Sequence, residues 1–493
     1  MTSEFSGVFS HFLTEPPADW KHESLVSLLD FQEGPGILAK DFHDEGVPLL
    51  RLSSIAGPRT TFDGCNFLDP KLVASKWQHF KVRTGDILLS TSGSLGRVSE
   101  VAPEQEGSIC YTGIILFRPK DGRVRQSFIK YFLQSQQFQQ QAEASAAGSV
   151  LRHFGPVHLK QMSMPLPPLK FQDFIEATLA PIDAKIELNR QINQTLEQMA
   201  QALFQAWFVD FEPVKAKVAA LADGRDPLRA AMSTLSGKTD AELDELPGAA
   251  FDTLAATAAL FPEEMEESAE IPKGWEISDI GQEVAVLGGG TPSTSNADYW
   301  NGEFAWVTPK DLSRLADKVL TMTERRITKA GVQNISSGQL PIGTVLLSSR
   351  APIGYLALTT IPVSINQGFI AMVCSRRLPN MYVLQWATQN LDAIKQRGSG
   401  TTFAEISKGN FRPMPILVPD EKALSAYQEF TLPLYEQITT NLRETDTLAT
   451  LRDSLLPKLL SGELAVTPEE QGPERRGIEK GVREGRGIER TWD

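Results

Sequence analysis

The sequence lacks the features that mark secreted, membrane and disulfide-rich proteins. Among 493 residues there are three cysteines, and Cys65, Cys110 and Cys374 form neither a CxxC pair nor a Cys/His cluster. We expect reduced, half-buried strand residues. The longest apolar run, residues 109–117, is too short to span a bilayer, and the N-terminus lacks the basic start and apolar core of a signal peptide. These absences predict a cytoplasmic protein with no membrane partner.

The sequence also lacks catalytic signatures. It contains no GxxxxGK[ST], no HExxH, no GxSxG, no dinucleotide fingerprint after a strand and no Asn/Asp-Pro-Pro-aromatic tetrapeptide. Residues 288–292 resemble a phosphate cradle but lack the lysine and the following helix, which favours a plain turn. Residues 419–422 hold acidic residues in one short run, whereas a metal-dependent nuclease gathers carboxylates from separate strands. We therefore expect a binding protein with no catalytic residue and no metal.

Charge is distributed unevenly along the chain. The formal net charge is −13, which taken alone disfavours a nucleic-acid partner. Most of the acidity lies in residues 169–270, which hold 8 Lys/Arg against 19 Asp/Glu, whereas residues 271–415 hold 14 against 10. Residues 1–168 are close to neutral. A phosphate-facing surface on the two flanking segments is therefore compatible with the composition.

One sequence plan occurs twice. Residues 84–98 read TGDILLSTSGSLGRV, and residues 342–356 read IGTVLLSSRAPIGYL. The copies share the glycines and the Leu-Leu-Ser that a strand and its turn need, but the turn residues differ. We therefore expect two similar heads of mixed α and β structure. The likeness continues through four further features. In the first copy a strand is predicted at 108–117, a helical stretch at 128–141, a glycine-rich turn at 148–154 and a proline-rich stop at 164–169. In the second copy the same features occur at 363–372, 381–394, 398–403 and 414–419.

Each copy ends in a long amphipathic stretch. Its apolar residues recur at spacings of three and four, as in a helix that packs lengthwise on another helix. About 37 residues at ~1.5 Å each would reach roughly 55 Å. That length exceeds a small domain, so we expect the two helices to pair; the alternative is that each lies on its own domain. The stripes are Ile182, Ile186, Asn189, Asn193, Leu196, Ala200, Leu203 and Trp207, and Leu434, Ile438, Leu442, Thr445, Leu448, Leu451, Leu455 and Leu459.

Two similar heads joined by a rigid helical spacer suit recognition of a split target. A rod of roughly 55 Å corresponds to about 16 base pairs at ~3.4 Å per step, so heads at its ends would address one face of a duplex.

The tail mixes glycine with alternating charge, which predicts disorder; a basic DNA-binding tail is the alternative. The predicted boundaries are 1–168 for the first head, 169–213 for the first long helix, 214–270 for a helical and acidic linker, 271–415 for the second head, 416–465 for the second long helix and 466–493 for the tail.

Four stretches resemble the DNA-specificity subunit of type I restriction-modification systems. Residues 189–214, NRQINQTLEQMAQALFQAWFVDFEPV, read almost as that family's central conserved region. The others are IPKGWEISDIGQ at 271–282, the repeated strand and turn described above, and LRDSLLPKLLSGEL at 451–464. The resemblance covers residues 17–465, although residues 17–20 depart from the Ile-Pro-x-Gly-Trp form found at the second entrance.

The resemblance implies a fold and a set of partners. The fold is α+β, with two repeated mixed α/β target recognition domains separated by a pair of long antiparallel coiled-coil helices. Each domain would read one half of a bipartite site in double-stranded DNA. The helices would dock two methyltransferase subunits, which bring S-adenosylmethionine, and a translocase-nuclease subunit using ATP and Mg²⁺ would join in a restricting complex. This chain would bind no cofactor and catalyse nothing itself.

Two other classes stay open. A specificity subunit of a related methyltransferase-nuclease outside type I differs only in its partner, which the sequence does not show. A coiled-coil scaffold that binds no DNA would also use paired long helices, but it would not need two loop-rich β domains. A fused single-chain restriction enzyme is disfavoured, because the methyltransferase and nuclease motifs are missing.

Sequence readout needs loop side chains that reach base edges, whereas phosphate contacts need only positive charge. Turn capping is the alternative role for each serine and threonine, and phosphate contact is the alternative for each cation. The DNA-contact candidates are Ser92, Ser94, Arg97, Arg152, His153 and Lys160 in the first head, and Lys310, Ser349, Arg350, Tyr355, Asn366, Gln367, Thr401, Thr402 and Lys408 in the second.

An aromatic group lies near the end of the first long helix. Trp207, Phe208 and Phe211 are close together in sequence. Exposed aromatic residues are concentrated at protein interfaces, so we expect this group to dock a methyltransferase subunit. The alternative is that it forms the packing core of the helix pair.

Overall fold

The computed structural model describes residues 20–92, 96–146, 154–266, 268, 270–350, 352–399 and 404–464, with residue 146 described by its backbone alone. The chain divides into two compact units, Met1–Ala184 with Ala449–Asp493, and Lys185–Leu448. No helix in these described ranges is long and apolar enough to cross a membrane. The predicted tail lies outside them.

The first unit contains two sheets and a short ladder. Its strands are β1 (His22–Ser24), β2 (Leu29–Glu33), β3 (Val47–Leu50), β4 (Asn66–Leu68), β5 (Ile87–Ser90), β6 (Val98–Glu100), β7 (Ile109–Cys110), β8 (Ile114–Pro119) and β9 (Ser163–Pro165). The large sheet has the order β2-β8-β5-β6 and the small sheet the order β4-β3-β7, while β1 pairs with β9. In the small sheet β3 is antiparallel to β4 and parallel to β7.

Helices accompany the sheets of the first unit. They are α1 (Leu25–Leu28), α2 (Pro70–Leu72), α3 (Gln126–Gln134), α4 (Gln136–Ala146), α5 (Pro156–Leu159) and the start of α6 (Leu169–Phe204). Phe128 and Phe132 of α3 are buried in one cluster with Phe117 of β8. Full burial of such a side chain stabilises by about 1.5–3 kcal/mol, so α3 is a main source of stability for this head.

The second unit begins with the rest of α6 and a helical insertion. Its helices are α7 (Glu212–Ala222), α8 (Pro227–Ser236), α9 (Asp240–Asp244) and α10 (Gly248–Ala259). Helices α8, α9 and α10 share a small core that includes Met232 and Leu243. The Lys217 ammonium donates to the Phe261 carbonyl oxygen at 2.7 Å, and burial lowers the pKa of Lys217. The predicted linker is therefore helical as far as residue 259.

The sheets of the second unit repeat the plan of the first. The strands are β10 (Met265–Glu266), β11 (Ile271–Pro272), β12 (Glu276–Asp279), β13 (Ala285–Gly288), β14 (Trp300–Val307), β15 (Val319–Leu320), β16 (Arg325–Ile327), β17 (Val345–Ser348), β18 (Leu356–Thr359), β19 (Val363–Ile365), β20 (Phe369–Val373) and β21 (Pro415–Val418). The large sheet has the order β13-β20-β17-β18-β15 and the small sheet the order β16-β14-β19. As in the first unit, the small sheet's middle strand has one antiparallel and one parallel neighbour.

Short helices and the second long helix complete this unit. They are α11 (Ile280–Glu283), α12 (Pro309–Leu312), α13 (Lys329–Gln333), α14 (Asn380–Gln389), α15 (Leu391–Gln396), α16 (Lys408–Phe411) and α17 (Glu421–Ser461). Each head thus follows its last large-sheet strand with helices, α3 and α4 in one case and α14 and α15 in the other. The predicted repeat of mixed α/β structure is confirmed.

The two long helices run antiparallel, with buried amides between them. Asn441 Nδ2 donates to Asn193 Oδ1 at 2.8 Å, and Asn189 Nδ2 donates to a Glu444 carboxylate oxygen at 2.8 Å. The three asparagines are at most 3% exposed. The Asn189 amide and the Lys185 ammonium lower the pKa of Glu444. Because a buried amide tolerates only a register that satisfies it, these contacts specify how the helices align, and the predicted helix pairing is confirmed.

A buried ionic cluster ties three helices of the first unit together. One Asp183 carboxylate oxygen lies 2.8 Å from Lys130 Nζ and accepts from the Tyr131 hydroxyl at 3.2 Å. The other lies 3.3 Å from an Arg452 guanidinium nitrogen. Asp183 is on α6, Lys130 and Tyr131 are on α3, and Arg452 is on α17. One carboxylate therefore links both long helices to α3.

Replacing Asp183 with alanine should strongly destabilise the first unit. The change leaves Lys130 buried without a counter-charge, which costs about 3–5 kcal/mol in comparable sites. Lys185→Ala is the control, because its ion pair with Glu444 is more than two-fifths exposed on both sides and should contribute only about 0–1 kcal/mol. Urea unfolding followed by circular dichroism measures both; equal losses would contradict the assignment.

Candidate nucleic-acid interface

Several loops of the second head meet at one edge of its sheets. Because β14 and β19 are parallel, their carboxyl ends lie together, and the Asn366 N–H donates to the Val307 carbonyl oxygen at 3.0 Å. The turn after β17 joins them, since the Ser349 N–H donates to the Gly368 carbonyl oxygen at 2.8 Å. We call this region the second edge. It comprises the described parts of residues 290–293, 308–310, 349–355 and 366–368.

Gly368 allows these loops to approach. A Cβ atom added there would lie 3.1 Å from Asn366 Oδ1, 3.2 Å from Pro309 Cγ and 3.7 Å from Arg350 Cγ. The first two distances are tighter than ordinary van der Waals contact, so a side chain would push the loops apart. The absence of one keeps Arg350 and Asn366 within the same small area.

Arg350 occupies the turn where the two sequence copies differ. Its guanidinium lies 3.9 Å from a Glu405 carboxylate oxygen, and its side chain is 38% exposed. Arg350 and Glu405 also form an isolated antiparallel bridge, and the Ile406 N–H donates to the Ser349 carbonyl oxygen at 2.9 Å. The turn after β17 and the segment after the glycine-rich turn are therefore held side by side, with one exposed cation between them.

The other polar candidates of the second edge are partly engaged by the protein. The Lys310 ammonium lies 3.0 Å from Glu324, and the Lys310 and Arg314 cations lower the pKa of that carboxyl. Asn366 Oδ1 accepts from the Gly368 N–H at 2.8 Å, which is the turn-capping role. Gln367 is exposed and its side-chain oxygen accepts from the Thr291 hydroxyl. Lys310 and Gln367 keep free hydrogen-bonding groups at the surface.

Three predicted DNA contacts of the second head lie against other parts of that head. Ser349 is 3% exposed, because both of its backbone groups are bonded to neighbouring loops. Tyr355 packs on the inner core of the head. Lys408 is exposed, but its ammonium nitrogen would lie 3.1 Å from a Cβ added to Gly288, so the side chain extends across β13. The interpretation of Ser349 as a reader is corrected, since a buried side chain offers nothing to a base.

The first head builds the same edge with different side chains. The Thr91 N–H donates to the Gly113 carbonyl oxygen at 2.8 Å, which matches the bond between Ser349 and Gly368. Ser92 Oγ would lie 2.3 Å from a Cβ added to Gly113, so Ser92 covers that glycine. Arg97 is exposed, and its guanidinium makes no hydrogen bond or ion pair with the residues that the structure describes.

The remaining candidates divide into one exposed residue and five undescribed ones. Lys160 is exposed at the end of α5. The other candidates lie outside the described ranges: Ser94, Arg152, His153, Thr401 and Thr402.

Two arginines that the sequence did not single out lie on aromatic rings. Arg325 Cζ is 3.7 Å from the centre of the Trp300 ring, and Arg51 Cζ is 4.3 Å from that of Tyr111. In the second head, the sequence features that could have pointed to Arg325 are the cations of ERRITK (324–329) and the two tryptophans of WNGEFAW (300–306). Spacing alone does not show that Arg325 faces Trp306 on the neighbouring strand, which requires the register.

The described residues contain no group of three His, Cys, Asp or Glu side chains that could hold a metal ion. Burial raises the pKa of Cys374 to about 12 and raises the pKa of Cys110 further above its ordinary value. Both thiols therefore stay protonated at neutral pH and are poor nucleophiles. The exposed cations of these loops suit contacts to an anionic partner.

Comparison with known proteins decides the family. Residues 17–198 and 272–439, more than half of the chain, match the type I restriction modification DNA specificity domain. The chain belongs to this family. The HindI specificity subunit of Haemophilus influenzae is 31% identical over 407 residues, which is 78% of this chain and 87% of the relative.

Other relatives match over shorter or more divergent stretches. The MjaIX specificity subunit of Methanocaldococcus jannaschii is 36% identical over 152 residues, which is 30% of this chain and 35% of the relative. A solved structure, the S subunit from M. genitalium, has 16% identity, 90% coverage of this chain and 96% of its own, and a TM-score of 0.49. That score is too low to transfer structural detail.

In this member of the specificity family, the aromatic group at the end of α6 lies mostly inside the protein. Trp207 and Phe208 are 3% and 4% exposed in the largest core cluster of the second unit. Their rings contact Tyr427 of α17. Phe211 is half-buried, and its ring meets the Trp275 ring edge-on with the ring centres 6.0 Å apart. The packing interpretation therefore describes Trp207 and Phe208, because a docking residue must reach the surface.

A buried serine closes the turn after β5 and the turn after β17 in this specificity-family chain. Ser348 Oγ accepts from the N–H groups of Gly354 and Tyr355 at 3.1 and 2.8 Å and donates to the Pro352 carbonyl oxygen at 2.8 Å. Ser90 Oγ accepts from the Arg97 N–H at 2.9 Å in the first head. Both serines are fully buried. The serine of the shared Leu-Leu-Ser therefore has a structural role in both copies, because its hydroxyl oxygen accepts hydrogen bonds from backbone N–H groups of the turn.

Ser348→Ala should loosen the second turn. The change leaves the Tyr355 N–H without its acceptor, whereas the Gly354 N–H keeps the Ser348 carbonyl oxygen at 3.1 Å. An unpaired N–H costs about 1–3 kcal/mol, so we expect faster tryptic cleavage after Arg350. Ser337→Ala is the matched control, because the Ser337 hydroxyl is buried without a hydrogen-bond partner. Cleavage rates that are equal in both variants would show that the serine does not hold the turn.

Proposed function

We propose that this chain is the DNA-recognition subunit of a type I restriction-modification complex, in which each head reads one half of a bipartite site in double-stranded DNA. The duplicated edge carries the proposal. Both heads join the turn of a large-sheet strand to a glycine by the same 2.8 Å backbone bond, but they present different side chains there. Recognition of two unlike half-sites requires the same backbone arrangement in both heads with different exposed side chains.

The exposed groups have the chemistry of DNA contacts. Arginine and lysine donate to guanine edges or phosphates, and asparagine and glutamine suit adenine. In the second head we assign DNA contact to Lys310, Arg350, Asn366, Gln367, Thr401, Thr402 and Lys408. In the first head we assign it to Ser92, Ser94, Arg97, Arg152, His153 and Lys160. The excess of cations in residues 271–415 favours the same assignment, despite the acidic total.

The long helices have a second role in the proposal. They would dock two methyltransferase subunits, which bring S-adenosylmethionine, and a restriction subunit using ATP and Mg²⁺ would complete a cleaving complex. Leu188 and Met199 support docking, because they are 49% and 52% exposed and eleven residues apart, which places them on one face of α6. This chain then contributes binding and no bond-breaking step.

Mapping methylated adenines in the source genome is the most direct test. We expect a split motif with two unrelated halves, which disappears when the gene for this chain is deleted. A coiled-coil scaffold would leave the methylation pattern unchanged. A specificity subunit outside type I would also produce the methylated motif, but its complex would contain no separate translocase subunit. Purification of the assembled complex distinguishes that alternative.

Arg350→Ala should weaken recognition of one half-site only. The test uses the chain assembled with its methyltransferase and duplexes in which either half of the mapped motif is scrambled. Loss of a bidentate base contact costs about 1–3 kcal/mol, roughly 5- to 150-fold in affinity. Arg376→Ala is the control, since Arg376 lies beyond the other end of β20 and donates to the Gln282 carbonyl oxygen. Equal weakening on random DNA would make Arg350 a phosphate contact, and unchanged binding would reject it.

A further inference from the structure

One arginine of the second head lies over aromatic rings and has no oxygen partner among the residues that the structure describes. Arg325 Cζ lies 3.7 Å from the centre of the Trp300 ring and 5.2 Å from that of Trp306. The two indole rings are themselves nearly perpendicular, with centres 5.0 Å apart. Arg325 is exposed, while both tryptophans are at most 9% exposed. The guanidinium therefore covers a buried aromatic pair at the protein surface.

We propose that Arg325 reads a guanine edge in the half-site bound by the second head. This inference rests on the proposed function and adds a base contact to it. The ring contacts hold the guanidinium in place, and the N–H donors of a guanidinium lie in one plane. That plane presents two parallel donors, the geometry that the O6 and N7 acceptors of guanine match.

The other arginines of the second head have oxygen partners in the protein, of which the 3.9 Å ion pair between Arg350 and Glu405 is the longest. In the described part of residues 271–415, Arg325 alone has a guanidinium without such a partner. The partners of the others are Glu324 for Arg314, the Glu303 carbonyl for Arg326, Glu405 for Arg350, the Gln282 carbonyl for Arg376, Glu283 for Arg377, the Asn410 carbonyl for Arg397 and the Val286 carbonyl for Arg412. The donors of Arg325 are thus available to a ligand.

Hydrogen bonds connect the tryptophan pair to the second edge. Trp306 Nε1 donates to the Gly290 carbonyl oxygen at 3.2 Å, and the Gly290 N–H donates to the Ile365 carbonyl oxygen at 2.9 Å. The next residue, Thr291, donates its hydroxyl to Gln367. Trp306, which lies beneath Arg325, is therefore linked by hydrogen bonds to the loop that carries Gln367, a predicted DNA contact. One duplex could meet both.

The neighbouring acidic residue does not occupy Arg325. Glu324 lies 3.0 Å from Lys310 and 2.7 Å from Arg314, and both cations lower the pKa of its carboxyl. It remains ionised at neutral pH and bonded to them. This arrangement leaves the Arg325 guanidinium without a carboxylate partner among the described residues.

The first head contains a related feature at its own small sheet. Arg51, directly after β3, has its Cζ 4.3 Å from the centre of the Tyr111 ring and 5.6 Å from that of Phe42. One of its nitrogens donates to Asn66 Oδ1 at 2.7 Å. Arg51 and Arg325 come from different strands of equivalent sheets, so each head holds a stacked arginine in its own position. That difference suits unlike half-sites.

The experiment measures binding of the assembled methyltransferase complex to a duplex carrying the mapped motif. Arg325→Ala and Arg325→Lys should each bind about 5- to 150-fold more weakly, because lysine keeps the charge but cannot make the planar, bidentate contact. Binding to a duplex of unrelated sequence should change less than twofold. Arg326→Ala is the matched control, since successive strand side chains point to opposite faces and its guanidinium bonds to the Glu303 carbonyl oxygen.

A modified base identifies the contact itself. Replacing guanines of the second half-site one at a time with 7-deazaguanine removes the N7 acceptor. One position should weaken the wild-type complex and leave the Arg325→Ala complex unaffected. Thermal unfolding of the variants should match the wild type, which separates a lost contact from a damaged head.

Three results would overturn the inference: wild-type affinity in Arg325→Ala, equal weakening on unrelated DNA, or no guanine that couples to Arg325. Each of these leaves the proposed function standing as long as the wild-type complex prefers the bipartite motif. If the wild-type complex shows no such preference, it is the proposed function that fails.

Discussion

Each head depends on a glycine where a strand of its large sheet passes a strand of its small sheet. A Cβ atom added to Gly34 would lie 2.2 Å from the Cys110 carbonyl oxygen, and one added to Gly289 would lie 2.0 Å from that of Ile365. Real Cβ atoms do not approach backbone oxygen so closely, so only glycine fits. Because Gly34 follows β2 and Gly289 follows β13, the same crossing occurs in both heads. It brings together the strand ends from which the candidate reading loops emerge.

The pairing of the long helices follows from the same duplication. Asn189 and Asn441 occupy equivalent positions of the two copies, and the Asn189 amide donates to the Asn441 carbonyl oxygen at 3.4 Å. When two copies of one helix cross antiparallel, equivalent residues meet near the centre of the crossing, as in an isologous interface. A buried asparagine at that point disfavours a shifted register, because a shift would leave its amide unsatisfied among apolar residues.

Much of this architecture could be predicted from the sequence because it depends on periodic or repeated patterns. The stripe from Ile182 to Trp207 predicted α6, and the repeated Leu-Leu-Ser predicted two equivalent strands. The sequence could not show which loop residues reach the surface. Ser349 is buried by backbone bonds to Gly368 and Ile406, and Trp207 is covered by α17 and Phe261. Those contacts come from residues far away in the chain, so local pattern carries no signal for them.

The structure separates residues that hold the edge from residues that face outward. Ser90 and Ser348 are buried, as are Leu88 and Leu346 on the strands beside them, and these are the positions that the two copies share. Arg97 is exposed where the second copy has the half-buried Tyr355, and Arg350 is over a third exposed where the copies also differ. Because the outward residues contribute little to packing, they can change without loss of the frame. A duplicated domain with this division can acquire two different target preferences while both heads keep one fold.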